Sequence, residues 1–174
     1  MQTNLVSMKQ EFVSIPFFGS GKKVIDIGCW DNIEPSFSLA SKGTTVFAID
    51  RYQNMNQFKE KLTKSIETNE ISRKVSEKIV PIKADATCLP FQEGSIDGIL
   101  FIYSVSWLEQ FGTEPLTAYK EALRVLKNDG LVIITETNIK RAETQERLLN
   151  TMMKTERNGN IVIGRKFNPE EKLF

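Results

Sequence analysis

A doubly wound, mostly parallel α/β sheet between two helical layers, a three-layer sandwich, is the fold this sequence predicts, and three observations predict it. Short apolar runs alternate with amphipathic stretches along most of the chain. The run Lys23-Val24-Ile25-Asp26-Ile27 breaks at Gly28, and Glu34-Pro35 then starts a helix, so Asp26 and Gly28 fall at the carboxyl edge of a buried parallel strand. Asp26, Asp50 and Asp85 stand at the ends of three successive strands, which in a parallel sheet lie side by side, where open α/β sheets bind ligands. A length of 174 residues fits one domain over 1–174, long enough to bury about two thirds of its unfolded surface.

In chain order, Leu5, Met8, Phe12 and Val13 have roughly helical spacing, and Pro16 ends that lead-in helix. The first strand runs from about Lys23 to Ile27. Pro35 suits the first turn of the next helix, whose amides have no intrahelical partner; Phe37, Leu39 and Ala40 face inward, and Gly43 closes it. The second strand, Thr44 to Ile49, ends in Asp50-Arg51. Phe58, Leu62 and Ile66, then Ile71, Val75 and Ile79, recur every four residues, which predicts a long amphipathic helix and a shorter one with a lysine-rich solvated face. Val80 to Asp85 is the third strand and Ser95 to Tyr103 the fourth and most apolar. Glu114-Pro115 opens a helix carrying Leu116, Tyr119, Leu123 and Leu126 inward. Asn128-Asp129-Gly130 turns into the strand Leu131 to Thr135. A polar helix over roughly Arg141 to Lys154, a turn at Asn158-Gly159-Asn160, a strand Ile161 to Lys166 and a tail Asn168 to Phe174 complete the chain.

Composition narrows the chemistry. Charges are mixed and sum to +1, so nothing global announces a nucleic-acid or membrane partner. The two cysteines, Cys29 and Cys88, form no disulfide framework, and no apolar run reaches the roughly 20 residues of a membrane span, so a reducing, cytoplasmic setting is expected. Histidine is absent, which removes the commonest general base and transition-metal ligand and predicts no metal centre. A dinucleotide fingerprint would need glycines at Trp30 and Ile33, and a P-loop would need a lysine and a hydroxyl residue after the glycine turn; both fail.

Asp26-Ile27-Gly28-Cys29, Phe47-Ala48-Ile49-Asp50, Ala84-Asp85-Ala86 with Leu89-Pro90-Phe91, Ser95 to Leu100, and Leu123 to Gly130 resemble, in order and spacing, the motifs of class I S-adenosylmethionine-dependent methyltransferases, most closely the small type 11 group, over about Val24 to Glu136. The resemblance implies a Rossmann-like fold and S-adenosyl-L-methionine as cofactor. It assigns the bend around Gly28, with Cys29 and Trp30, to the methionine part, Asp50 with Arg51 to the ribose, and Asp85 with Ala86 to the adenine, where Leu89 and Phe91 help build the slot. Asp26 joins this set, and Tyr103 and Ser104 line the approach to the methyl group. Methyl transfer by direct displacement gains mostly from alignment, which suits a chain without histidine; if a proton must be removed, Asp31, Tyr103 and Glu136 are the candidates by position.

Two departures from the family pattern carry consequences. Only Gly28 of three alternating glycines stands, with Trp30 and Asn32 at the other two positions; asparagine tolerates a left-handed backbone and tryptophan does not do so cheaply. The Trp30 ring is then either a pocket wall or a plug where the methionine tail should lie, and the second arrangement describes a catalytically inactive binding or partner subunit. At the other end, only one strand of the family's closing antiparallel pair is legible. The sheet is therefore expected to be shortened at its C-terminal end, leaving an edge for a second copy or a protein partner. The acceptor is expected to be a small molecule. Tyr103-Ser104-Val105-Ser106 replaces the asparagine-proline-aromatic signature of base methylation, so nucleic acid is not expected.

Overall fold

The computed structural model describes residues 18–51 and 55–167. The lead-in helix expected over Leu5 to Val13 and the tail from Asn168 lie outside them. Seven strands form one sheet: β1 (Lys23–Ile27), β2 (Thr45–Asp50), β3 (Ile79–Lys83), β4 (Ile96–Ile102), β5 (Leu126–Thr135), β6 (Lys154–Asn158) and β7 (Ile161–Arg165), in the order β3-β2-β1-β4-β5-β7-β6. The first five are parallel and β7 runs antiparallel to both of its neighbours. The order reverses between β1 and β4, which opens a crevice at their carboxyl ends.

Six helices are described: α1 (Glu34–Ser41), α2 (Met55–Glu67), α3 (Arg73–Ser76), α4 (Val105–Gln110), α5 (Pro115–Val125) and α6 (Ile139–Leu149). They cover both faces, because successive strand residues point to opposite sides. Ile25, Ile27, Ile99 and Phe101 join one core with Tyr119 and Ala122 of α5, whereas Val24, Val46, Ala48 and Leu100 join the other with Leu39 of α1 and Phe58 of α2. On α5, Ala118, Tyr119, Ala122 and Val125 are fully buried, while Leu116 and Leu123, expected inward, are only half-buried: the buried stripe runs through Tyr119 and the two alanines, and the leucines flank it.

At the end of the sheet remote from the crevice, Asp97 accepts the Lys23 amide at 2.9 Å and the Lys127 ammonium at 2.9 Å, tying together the starts of β1, β4 and β5. Gly98 is needed on β4 because a Cβ there would lie 2.1 Å from the buried Phe18 ring.

The fold class agrees with the sequence prediction, and the shortened C-terminal end does not. The polar helix stops at Leu149, Met153 turns into the core, and Lys154-Thr155-Glu156-Arg157-Asn158, expected to begin as helix, forms edge strand β6 against β7. An edge strand that buries neither face has no alternating apolar pattern to read, so its backbone ladder alone defines it. Its charged side chains are a device that edge strands use against pairing with another chain; Arg157 folds back to the Glu146 carboxylate of α6 at 2.8 Å. The missing strand that motivated a partner at this edge is thus supplied by the chain itself. Among the described residues, no helix is long and apolar enough to cross a membrane.

Candidate functional site

A cavity of about 320 Å³ opens at the carboxyl ends of β1, β2 and β4, within the size range of small-ligand sites. The bend after β1 forms its floor. Gly28 turns the chain at φ 69°, and a Cβ on it would fall 2.5 Å from the Ser104 Cβ, so only glycine lets the bend seat against the start of α4. The Gly28 and Cys29 amides both donate to the Ile49 carbonyl, at 2.8 and 3.3 Å.

Two residues later, contrary to the expectation from its size, Trp30 takes the left-handed backbone (φ 49°), while Asn32 does not. Asn32 instead accepts the Glu34 amide at 3.2 Å, helping to start α1. The Trp30 amide donates to Asp50 at 3.0 Å, and that contact compensates part of the strain. The Trp30 ring is 41% exposed and packs on Trp107 with centroids 5.4 Å apart, so it forms a wall at the cavity mouth.

Five charged residues line the cavity: the acids Asp26, Asp31, Asp50 and Asp85, and one guanidinium, Arg51. Asp26 is 1% exposed, and its carboxylate accepts the Ser36 hydroxyl of α1 at 2.8 Å. Burial pushes its carboxyl up to about 7, the Ser36 hydrogen bond offsetting only part of the rise. Asp50, also buried, holds the bend through the Trp30 amide. Asp85, just past β3, accepts the Thr87 amide at 2.9 Å and hydroxyl at 2.8 Å and pairs with Arg51 at 3.5 Å. Partial burial raises its carboxyl, but the Thr87 hydrogen bonds and the Arg51 charge outweigh that and hold it low. Cys29 lines the cavity too; burial and then the charges of Asp26 and Asp50 push its thiol far up, so it stays protonated and is no nucleophile.

The three proton-removal candidates separate. Tyr103 lines the cavity in a left-handed conformation (φ 54°), its amide bonded to the Thr135 carbonyl at 3.0 Å. Asp31 lines it as well but is engaged in an ion pair with Lys61 of α2. Glu136 does not line the cavity: it is fully buried behind it, paired with Arg141 of α6 at 3.2 Å, and Arg141 also holds Glu109 of α4 at 2.8 Å. Proximity to a strand end does not distinguish a residue facing the crevice from one facing the core, which is why Glu136 looked eligible. Leu89 and Phe91 likewise do not line the cavity: Leu89 is buried in the core and Phe91 packs at a tilt on Phe47, ring centroids 4.8 Å apart.

Two further residues matter here: Ser104, which the resemblance puts on the approach to the methyl group, and Arg124, which lies inside the last of the quoted motifs. Ser104 lines the cavity with a buried hydroxyl that has no hydrogen-bond partner among the described residues, directly beside Gly28. Arg124 of α5 donates to the carbonyls of Leu89 at 3.1 Å and Phe91 at 3.0 Å and pairs with Glu121 at 2.7 Å. Glu121 in turn accepts the Leu89 amide at 2.7 Å, so the loop after Asp85 and Ala86 is fastened to α5. The spacing of Arg124 within its motif marks it; only the structure shows what it holds.

Comparisons with known proteins agree with this geometry. No curated protein matches the chain. In fold it is similar to an S-adenosylmethionine-dependent methyltransferase from Aquifex aeolicus (16% identity, covering 92% of this chain and 87% of that one, TM-score 0.68). It is also similar to one from Methanosarcina mazei (15%, 87% and 95%, TM-score 0.66). Geranyl diphosphate C-methyltransferase from Streptomyces coelicolor, solved with Mg²⁺, geranyl diphosphate and S-adenosyl-L-homocysteine, shares the fold over 75% of this chain and 46% of its own length (16% identity, TM-score 0.58). Residues 25–134, the segment from β1 to β5 that builds the crevice, match the sequence profile described as "Methyltransferase domain". With more than half of its length matched in this way, the chain belongs to the methyltransferase-domain family.

Proposed function

We propose that this protein, as one domain over 1–174, is an S-adenosyl-L-methionine-dependent methyltransferase with a small-molecule acceptor. The observation that carries the reading is the convergence of Asp26, Gly28, Asp50 and Asp85, from three adjacent strand ends, on one cavity inside the segment that the family profile matches. The residues fit the cofactor. The Asp26 and Asp50 carboxyls beside the bend favour a cationic guest, and the buried Ser104 hydroxyl offers a polar contact there. Asp26 and the bend Gly28-Cys29-Trp30 hold the methionine part, Asp50 and Arg51 flank the ribose hydroxyls, and Asp85 and Ala86 bound the adenine. Tyr103 faces the approach to the methyl group.

Bound there, the cofactor supplies a methyl carbon that an acceptor lone pair takes up while the carbon–sulfur electron pair returns to sulfur. The protein's share is to hold the reactants in line, and the acceptor's proton leaves to solvent. The inactive-subunit reading rested on the Trp30 ring plugging the cavity; with that ring on the rim against Trp107, its ground is gone. Isothermal titration with S-adenosylmethionine and S-adenosylhomocysteine tests the proposal: a saturable site is expected for both, and silence at millimolar ligand overturns it.

A further inference from the structure

Trp30, Trp107 and Phe111 line the same cavity yet stand 41%, 45% and 45% exposed at its mouth. Their rings form one strip: Trp30 and Trp107 lie 5.4 Å apart, Trp107 and Phe111 6.0 Å apart and within 19° of parallel. The Trp107 and Phe111 rings, near-parallel, suit another flat ring, with Trp30 tilted 38° from Trp107 at one end; a cage for an ammonium group needs walls that meet around it. Trp30 is held in this strip by a backbone conformation that bulky residues avoid, and such strain collects where a ligand is clamped. The charges around the strip are already engaged: Asp31 with Lys61, Glu109 with Arg141, Asp85 with Arg51. An anionic guest would have to take a cation from its partner, and a cationic guest a carboxylate.

We propose that this strip is the acceptor subsite and that it takes a flat, uncharged aromatic molecule, stacked on Trp107 with its methyl-accepting heteroatom turned into the cavity. The proposal rests on the methyltransferase reading above and adds the class of acceptor. Both tryptophans of the chain lie in the strip, so intrinsic fluorescence reports on it directly.

The test titrates 2-naphthol into protein saturated with S-adenosylhomocysteine, reading tryptophan fluorescence and heat. Saturable binding is expected, at least about tenfold weaker in Trp107→Ala and within about threefold of the parent in Trp107→Phe, which keeps a ring. Binding of S-adenosylhomocysteine by each variant, measured separately, shows that its cavity has folded. Decahydro-2-naphthol, equal in outline but without a π face, is expected to bind at least about tenfold more weakly than 2-naphthol. Equal binding of the two, tighter binding of choline or naphthalene-2-sulfonate, or no saturable 2-naphthol binding by protein that does bind S-adenosylhomocysteine each overturns the proposal. Failure to bind S-adenosylhomocysteine overturns the methyltransferase reading and the subsite with it.

Discussion

Replacing Asp26 with asparagine should make the ligand-free protein more stable in alkali while weakening its hold on S-adenosylmethionine. The carboxyl is 1% exposed, and burial raises it from an ordinary 3.8 to about 7. Between those two values the folded protein keeps a proton that the unfolded chain releases. The contribution of Asp26 to stability is therefore fully present below about pH 4 and is lost as the pH climbs through about 7. At about 1.4 kcal/mol per pH unit, the gap corresponds to a loss on the order of 4 kcal/mol by pH 8. Asparagine cannot ionise and still accepts the Ser36 hydroxyl, so it escapes that loss. Urea unfolding of parent and variant at pH 4.5, 6 and 8 measures it, and taking the difference between them cancels the acids held low, Asp85, Asp97 and Glu121, which act in the opposite direction. The variant should match the parent to within about 1 kcal/mol at the lowest pH and exceed it by up to about 4 kcal/mol at the highest. Cofactor affinity of the parent should rise between pH 6 and 8, because a cation favours the ionised carboxylate, and that rise should be missing in the variant. A stability difference that does not change with pH refutes the reasoning.

Further outcomes are expected elsewhere. Asp50→Ala should weaken S-adenosylmethionine binding by about 1–3 kcal/mol by calorimetry, since its carboxylate is assigned to the ribose and also fixes the Trp30 amide. Unchanged affinity removes Asp50 from the pocket. Gly98→Ala should cost about 1–3 kcal/mol of stability in urea through the clash with Phe18, far from the crevice. Arg141→Met strands the fully buried Glu136 carboxylate and should destabilise by about 3 kcal/mol, increasingly so as the pH rises, because burial already raises that carboxyl. Adding Glu136→Gln should recover most of the loss.

The fold was legible because the central parallel strands are buried on both faces and read as apolar runs broken only by Asp26 in Val24 to Ile27 and by Asp97-Gly98 in Ile96 to Ile102. β6 was not, because nothing in Lys154 to Asn158 is buried and the sequence there says only that it is polar. The acids at the strand ends were found for the same reason as the strands: a charge closing an apolar run is conspicuous. Which way a side chain points beyond the strand end is set by local backbone twists that the sequence does not display: Tyr103, at φ 54°, lines the cavity where the resemblance put it, whereas Glu136 stays in the core. The left-handed Trp30 escaped because propensity argues against it, and only the amide contact to Asp50 makes it affordable.

Arg124 has a mechanical meaning beyond its contacts. By fastening the backbone of Leu89 and Phe91 to α5, it makes the Asp85-Ala86 side of the crevice and the helix that follows the aromatic rim parts of one lever. Seating a guest at either end therefore stiffens a shared beam, and amide deuterium uptake along Pro115–Val125 would slow before any chemistry begins.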